Sequence, residues 1–174
     1  RLISGDGEIY IWDVNSRTCQ KKFFDKGCVS GLSLALSNDD RFLAAGSASG
    51  VVNVYNNQTV LTERSPKPVK VLMNLTTQAN VLRFNPQGEI LAFGSYVKFN
   101  SLKLVSIHIF PTFCLLITWL QLNCAKMTVF QNFPLVGNIG SIQCADFSLN
   151  SGYMCLGNFH GNSSLYRISE YDSY

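Results

Sequence analysis

A chain of 174 residues is long enough for one domain with a substantial core. It is 47% hydrophobic and 14% charged, a globular composition that excludes intrinsic disorder. A formal net charge of +3 is too small to imply a nucleic-acid binder by itself, and the nearest basic groups, Lys21-Lys22 and Arg64, Lys67 and Lys70, read first as solvated faces.

The first element is Gly7-Glu8-Ile9-Tyr10-Ile11-Trp12-Asp13-Val14, an alternating strand behind a turn glycine. An outer strand fits residues 18–24. A hairpin follows over 34–46, with apolar runs on either side of the polar turn Ser37-Asn38-Asp39-Asp40. A third strand spans 51–55, and 69–73 is the best candidate for a fourth. The second hairpin covers 82–94, its third strand 102–109 and its outer strand 127–130. The last hairpin covers 145–157, followed by a strand over 163–168.

These elements repeat. Trp12, Tyr55 and Tyr166 each lie five residues after a turn glycine (Gly7, Gly50, Gly161). Leu36, Phe84 and Phe147 each lie ten residues before a glycine (Gly46, Gly94, Gly157), whose small size suits crowding near an axis. Gly7 to Gly50 is 43 residues and Gly46 to Gly94 is 48, close to the length of about 40–45 for a four-stranded WD-repeat blade. The fold class is therefore all-β: an incomplete WD-repeat β-propeller of two whole blades and two partial ones. Because closed propellers need about four to eight blades, residues 1–174 read as the C-terminal fragment of a longer protein, with open strand edges at both ends.

One stretch departs from the repeat. Gly94 to Gly157 is 63 residues, and the excess is an anomalous apolar insertion over 110–126. A membrane helix needs about 20 apolar residues, and Pro111, Gln121 and Asn123 interrupt this run. The other readings are a partner-binding loop and a gene-model error such as translated intron. The last is preferred, because the run has neither the repeat pattern nor the polarity of a surface loop.

No catalytic constellation stands out. Gly5-Asp6-Gly7 is too short for a phosphate loop. His160 sits in a turn and His108 in a strand alternation, neither with a carboxylate at a useful spacing. The cysteines at 19, 28, 114, 124, 144 and 155 form no Cys-x-x-Cys pair and, with two histidines, no metal-ligand spacing. They read as free thiols in a reducing, intracellular compartment, several of them small buried hydrophobes in strands. Arg1-Leu2-Ile3-Ser4 does not resemble a signal peptide. The expectation is a protein that is not an enzyme and carries no cofactor and no metal.

Ser4, Asp6 and Trp12 resemble the structural network of WD repeats, in which a serine or threonine, a turn aspartate and a strand tryptophan join a histidine from the preceding loop. A buried indole N–H needs such a partner. The later blades depart: Tyr55 and Tyr166 replace the tryptophan, and Ser49 and His160 replace the aspartate.

Several strings carry a resemblance: residues 7–17, Gly50-Val51-Val52-Asn53-Val54-Tyr55-Asn56, residues 66–75 beginning Pro66-Lys67-Pro68, Val129-Phe130-Gln131-Asn132-Phe133-Pro134 and residues 151–158, of which those over 66–75 and 129–134 are far more specific than the blade frame. They resemble, in order, the C-terminal propeller of the WD-repeat family of U-three small nucleolar RNA-associated proteins numbered eighteen. The resemblance implies a non-catalytic scaffold in the small-subunit processome of the nucleolus. Its expected partners are other processome proteins, WD-repeat subunits among them, with precursor ribosomal RNA and small nucleolar RNA contacted indirectly and no membrane. Arg64, Lys67 and Lys70, beside Pro66 and Pro68, are the candidates for RNA or partner contact. The alternative is a WD-repeat adaptor in another complex, such as a ubiquitin ligase.

Overall fold

β-branched and aromatic residues, punctuated by Gly, Asn and Asp, make the regular structure of the described residues almost wholly strand. A computed structural model describes residues 2–107, 127–133, 138–168 and 171. The insertion expected over 110–126 lies outside the described residues.

The elements are β1 (Leu2–Ile3), β2 (Glu8–Asp13), β3 (Thr18–Phe24), β4 (Gly31–Leu36), β5 (Phe42–Ser47), β6 (Val52–Asn56), α1 (Asn57–Thr62), β7 (Lys70–Leu72), β8 (Val81–Phe84), β9 (Ile90–Gly94), β10 (Leu102–Ser106), β11 (Thr128–Phe133), β12 (Ile142–Phe147), β13 (Tyr153–Asn158) and β14 (Ser163–Arg167). They form four antiparallel sheets in the orders β1-β2-β3, β4-β5-β6-β7, β8-β9-β10-β11 and β12-β13-β14. β1 lies against β4, β4 against β8 and β8 against β12, so the sheets fan in chain order about their first strands. Two four-stranded and two three-stranded sheets that do not close among the described residues are an incomplete WD-type propeller, as the repeat predicts.

Strand parity explains the core. On β5 and β6, Leu43, Ala45 and Tyr55 face the first sheet and pack with Ile9, Ile11 and Phe23. The alternate residues Phe42, Ala44, Val52 and Val54 face the third sheet and meet Phe84, Leu91, Phe93 and Val105. Both faces of β5 are covered, which is why Phe42-Leu43-Ala44-Ala45-Gly46 reads as a continuous apolar run. A third layer joins Val81, Ile90, Ala92 and Leu104 to Ile142, Met154 and Leu156. Each such Leu, Ile or Phe stabilises by about 1.5–3 kcal/mol over leaving it in water.

The turn after the first strand of each complete hairpin is built the same way three times. Ser37, Asn85 and Ser148 accept through their side chains from the backbone N–H of Phe42 (2.9 Å), Ile90 (2.8 Å) and Tyr153 (3.0 Å). Three residues on, Asp40, Gly88 and Ser151 take positive φ of 57°, 72° and 57°. The short helix α1 was not foreseen. Asn56 caps it by accepting from Gln58 N at 2.9 Å, Val60 is buried, and Asn57 donates to the Asp40 carbonyl at 2.7 Å.

Candidate functional site

Ser4 closes the turn between β1 and β2: its N–H donates to the Glu8 carbonyl at 2.8 Å, and its Oγ accepts from Glu8 N at 3.3 Å. Asp6 is exposed at the tip of that turn. Trp12 is 52% exposed, and no hydrogen bond links it to Ser4 or Asp6. The expected Ser4–Asp6–Trp12 network is therefore not formed in this structure. Parity is the reason: Ile9 and Ile11 turn into the core, which puts Trp12 on the opposite face of β2, where no described sheet covers it.

The network forms one blade later with different chemistry. Ser47, Ser49 and Tyr55 stand 43 residues after Ser4, Asp6 and Trp12. Tyr55 is wholly buried, makes an edge-on ring contact with Phe23 at 5.6 Å, and donates its hydroxyl to Asp25 Oδ1. Asp25, on the loop between β3 and β4, takes the place that the histidine holds in the WD-repeat network. Its Oδ1 also accepts from Asn53 Nδ2 at 2.7 Å, and that amide donates to the Lys26 carbonyl at 3.0 Å. Ser47 Oγ accepts from Val29 N and Ser49 N, both at 3.3 Å, tying the same loop to the end of β5.

Burial sets the electrostatics here. It raises the Asp25 carboxyl above its ordinary range against the lowering pull of the bonds from Tyr55 and Asn53. Burial, then the bond to Asp25, pushes the Tyr55 hydroxyl far up, and burial raises the Cys28 thiol beside them. Asp25 Oδ2 and Asn53 Oδ1 remain buried without a hydrogen-bond partner. A hydroxyl and thiol held protonated and out of solvent suit a structural clasp, and they are poorly placed as nucleophiles. Sequence reasoning noted that Tyr55 replaces tryptophan but missed Asp25. The available signal was a carboxylate in the loop where the WD pattern puts its histidine.

Arg64 and Lys67 are exposed on the connection after α1, and Lys70 is half-buried on β7. Among the described residues none of the three joins an ion pair, whereas Lys22 pairs with Glu8 at 2.8 Å. Among the described cysteines, Cys19, Cys144 and Cys155 are exposed on strands and only Cys28, in a loop, is buried; Cys114 and Cys124 lie outside the described residues. For the described cysteines this corrects the expectation of buried strand thiols, since Cys19, Cys144 and Cys155 each fall on a face with no covering sheet among the described residues. Among the described residues no three His, Cys, Asp or Glu side chains gather as a metal site, and no helix is long and apolar enough to cross a membrane. His108 lies outside the described residues. A trough of about 380 Å³ runs along the first strands, lined by Leu34, Leu36, Phe84 and Phe147 and spanned by Arg83 and Asp146, whose Nε and Oδ1 are 2.9 Å apart.

No family model matches the chain. The chain is 42% identical over 173 residues to the human U3 small nucleolar RNA-associated protein 18 homolog, covering 98% of this chain and 28% of that protein. It is 32% identical to the Arabidopsis thaliana homolog, over 97% of this chain and 28% of that protein. It is 30% identical to U3 small nucleolar RNA-associated protein 18 of Saccharomyces cerevisiae, again over 97% of this chain and 28% of that protein. These proteins are homologues of the chain, which spans little more than a quarter of their length and matches a C-terminal part of it.

Proposed function

We propose, from homology along nearly the whole chain to proteins named for association with U3 small nucleolar RNA, that this chain serves as a non-catalytic scaffold in ribosome biogenesis. The place of work is the nucleus, in the nucleolus, within the small-subunit processome, where precursor ribosomal RNA is processed. The partners are other processome proteins, WD-repeat subunits among them, and the RNAs are reached chiefly through those proteins. Residues 1–174 act as the C-terminal part of a larger propeller, and 110–126 as an insertion dispensable to it.

The observation that carries this reading is the homology. The architecture supports it: a rigid, interlocked set of sheets whose connections are free to hold partners. The buried Asp25–Tyr55 clasp fits a body that keeps its loops in place, and Ser4, Asp6 and Trp12 would do the same in a protein whose next sheet covers β2. The test is purification of the tagged full-length protein followed by sequencing of the bound RNA. Enrichment of U3 small nucleolar RNA and precursor ribosomal RNA is expected. Ubiquitin-ligase subunits without those RNAs would replace the scaffold reading by the adaptor one.

A further inference from the structure

Six large apolar side chains, Val29, Met73, Tyr96, Val97, Phe99 and Phe159, are each 42–76% exposed. They come from the connections β3–β4, β7–β8, β9–β10 and β13–β14. In antiparallel sheets laid side by side, the connections that enter a sheet and those between its second and third strands share one end of the molecule. Hydrogen bonds join these connections into one surface. Ala48 N donates to Ser30 O at 2.8 Å, Ala79 N to Ser47 O at 3.0 Å, Asn100 N to Gly140 O at 3.0 Å and Phe159 N to Ser141 O at 2.9 Å. Lys98 Nζ donates to Thr76 Oγ1 at 3.4 Å, and Ser141 Oγ to the Tyr96 carbonyl. The apolar groups are thus held in place before any partner arrives, which lowers the entropic cost of binding.

The opposite end is different. Val14, Leu61, Val69 and Leu149 are exposed there, among connections that also carry Asp39, Asp40, Glu63, Arg64 and Lys67. Scattered apolar residues are ordinary, whereas a gathered set marks an interface. The exposed charge at the apolar end leans basic, two lysines to one carboxylate among the described connections. Lys26 and Lys98 are exposed and in no ion pair among the described residues. Asp25 is buried, which leaves Asp6, on the turn of the first sheet, as the exposed carboxylate among the described connections at this end.

We propose that this end docks a protein segment bearing apolar side chains and carboxylates. The apolar groups seat on Val97, Phe99 and Phe159, and the carboxylates meet Lys26 and Lys98. A single-stranded RNA fits less well. Tyr96, Phe99 and Phe159 offer ring faces to a base, but Val29, Met73 and Val97 between them do not, and two lysines neutralise few phosphates. The inference deepens the scaffold reading and rests on it.

The test places the photoreactive residue p-benzoylphenylalanine at Phe99 or Phe159 of the full-length protein in cells, with Leu149 at the opposite end as the control position. The expected result is one common segment captured from positions 99 and 159 but not 149, rich in Asp, Glu and apolar residues. Lys98→Glu should cut the adduct at 159 by about tenfold, as charge reversal at a desolvated pair does, with the melting temperature unchanged. RNA adducts, a segment without carboxylates, or no adduct at 99 and 159 would overturn the proposal. Sedimentation of the unaltered protein with precursor ribosomal RNA separates the two readings. Its failure sinks the scaffold. Intact sedimentation without the acidic adduct sinks this inference alone.

Discussion

At the scale of single residues, Asp25 is the most consequential side chain. Burial raises its carboxyl in the folded protein, so folding binds its proton more tightly than the unfolded chain does. The stability it contributes is complete below the ordinary carboxylate value of 3.8 and is lost as pH rises through the raised value. Asp25→Asn keeps an oxygen for Tyr55 and removes the charge. Melting temperatures from pH 4 upward should therefore favour the variant increasingly over the parent; a gap constant with pH would show that Asp25 does not titrate with folding. Tyr55→Phe keeps the ring against Phe23 but strips one donor from a buried carboxylate, at a cost of about 1–3 kcal/mol. Urea midpoints measure it, and an unchanged midpoint would mean that the clasp contributes nothing. Trp12 anchors the fold only where a further sheet covers the outer face of β2. In the full-length protein Trp12→Ala should then cost about 3–5 kcal/mol, and an unmoved melting temperature would show that the face stays open.

Elements were the most legible level, because period-two alternation and turn residues act locally. The outer strand expected over 18–24 is β3 itself, and each hairpin lies where the glycine spacing put it. α1 was missed because six residues between two strands carry too little periodicity. The clasp was missed because Asp25 and Tyr55 meet through tertiary packing across thirty positions. The turn glycines make the local argument testable. Gly50 has φ +83°, and a Cβ there would lie 2.6 Å from the Thr77 carbonyl oxygen and 2.8 Å from that of Leu75; Gly27 has φ +81° and open space. Gly27→Ala should cost only the left-handed backbone penalty of about 1–2 kcal/mol. Gly50→Ala should cost clearly more, and equal melting losses would remove the steric account. The insertion bears on the same level. Ser106 pairs with Thr128, and Ile107 and Met127 are both buried in one core. Deleting 110–126 leaves four residues between that pair, within the hairpin range of 2–5. The deleted protein should melt as the parent does and be more soluble; loss of assembly would make the segment a partner-binding loop.

At the scale of the whole molecule, the proposed scaffold role asks how a body of net charge +3 would work among ribosomal RNA precursors. Composition made the globular class plain, but the distribution of charge needed the fold. Arg64 and Lys67 stand on the connection after α1, at the end that also carries Asp39, Asp40 and Glu63, while Lys70 lies along β7. Acidic neighbours dilute the potential that would draw phosphate, and no aromatic stripe interleaves with the three cations. The expected outcome is that the purified full-length protein binds single-stranded and duplex RNA weakly at physiological salt, and that changing Arg64, Lys67 and Lys70 to alanine alters little. Were the three to neutralise one phosphate each, the salt slope for single strands would fall by about 2 on their removal, at roughly 0.7 per phosphate. A binding titration across salt concentrations reads that slope directly. Tight binding at physiological salt, abolished in the triple variant, would transfer the RNA contact from neighbouring proteins to this chain. It would also mean that the end opposite Phe99 and Phe159 is the one facing the RNA.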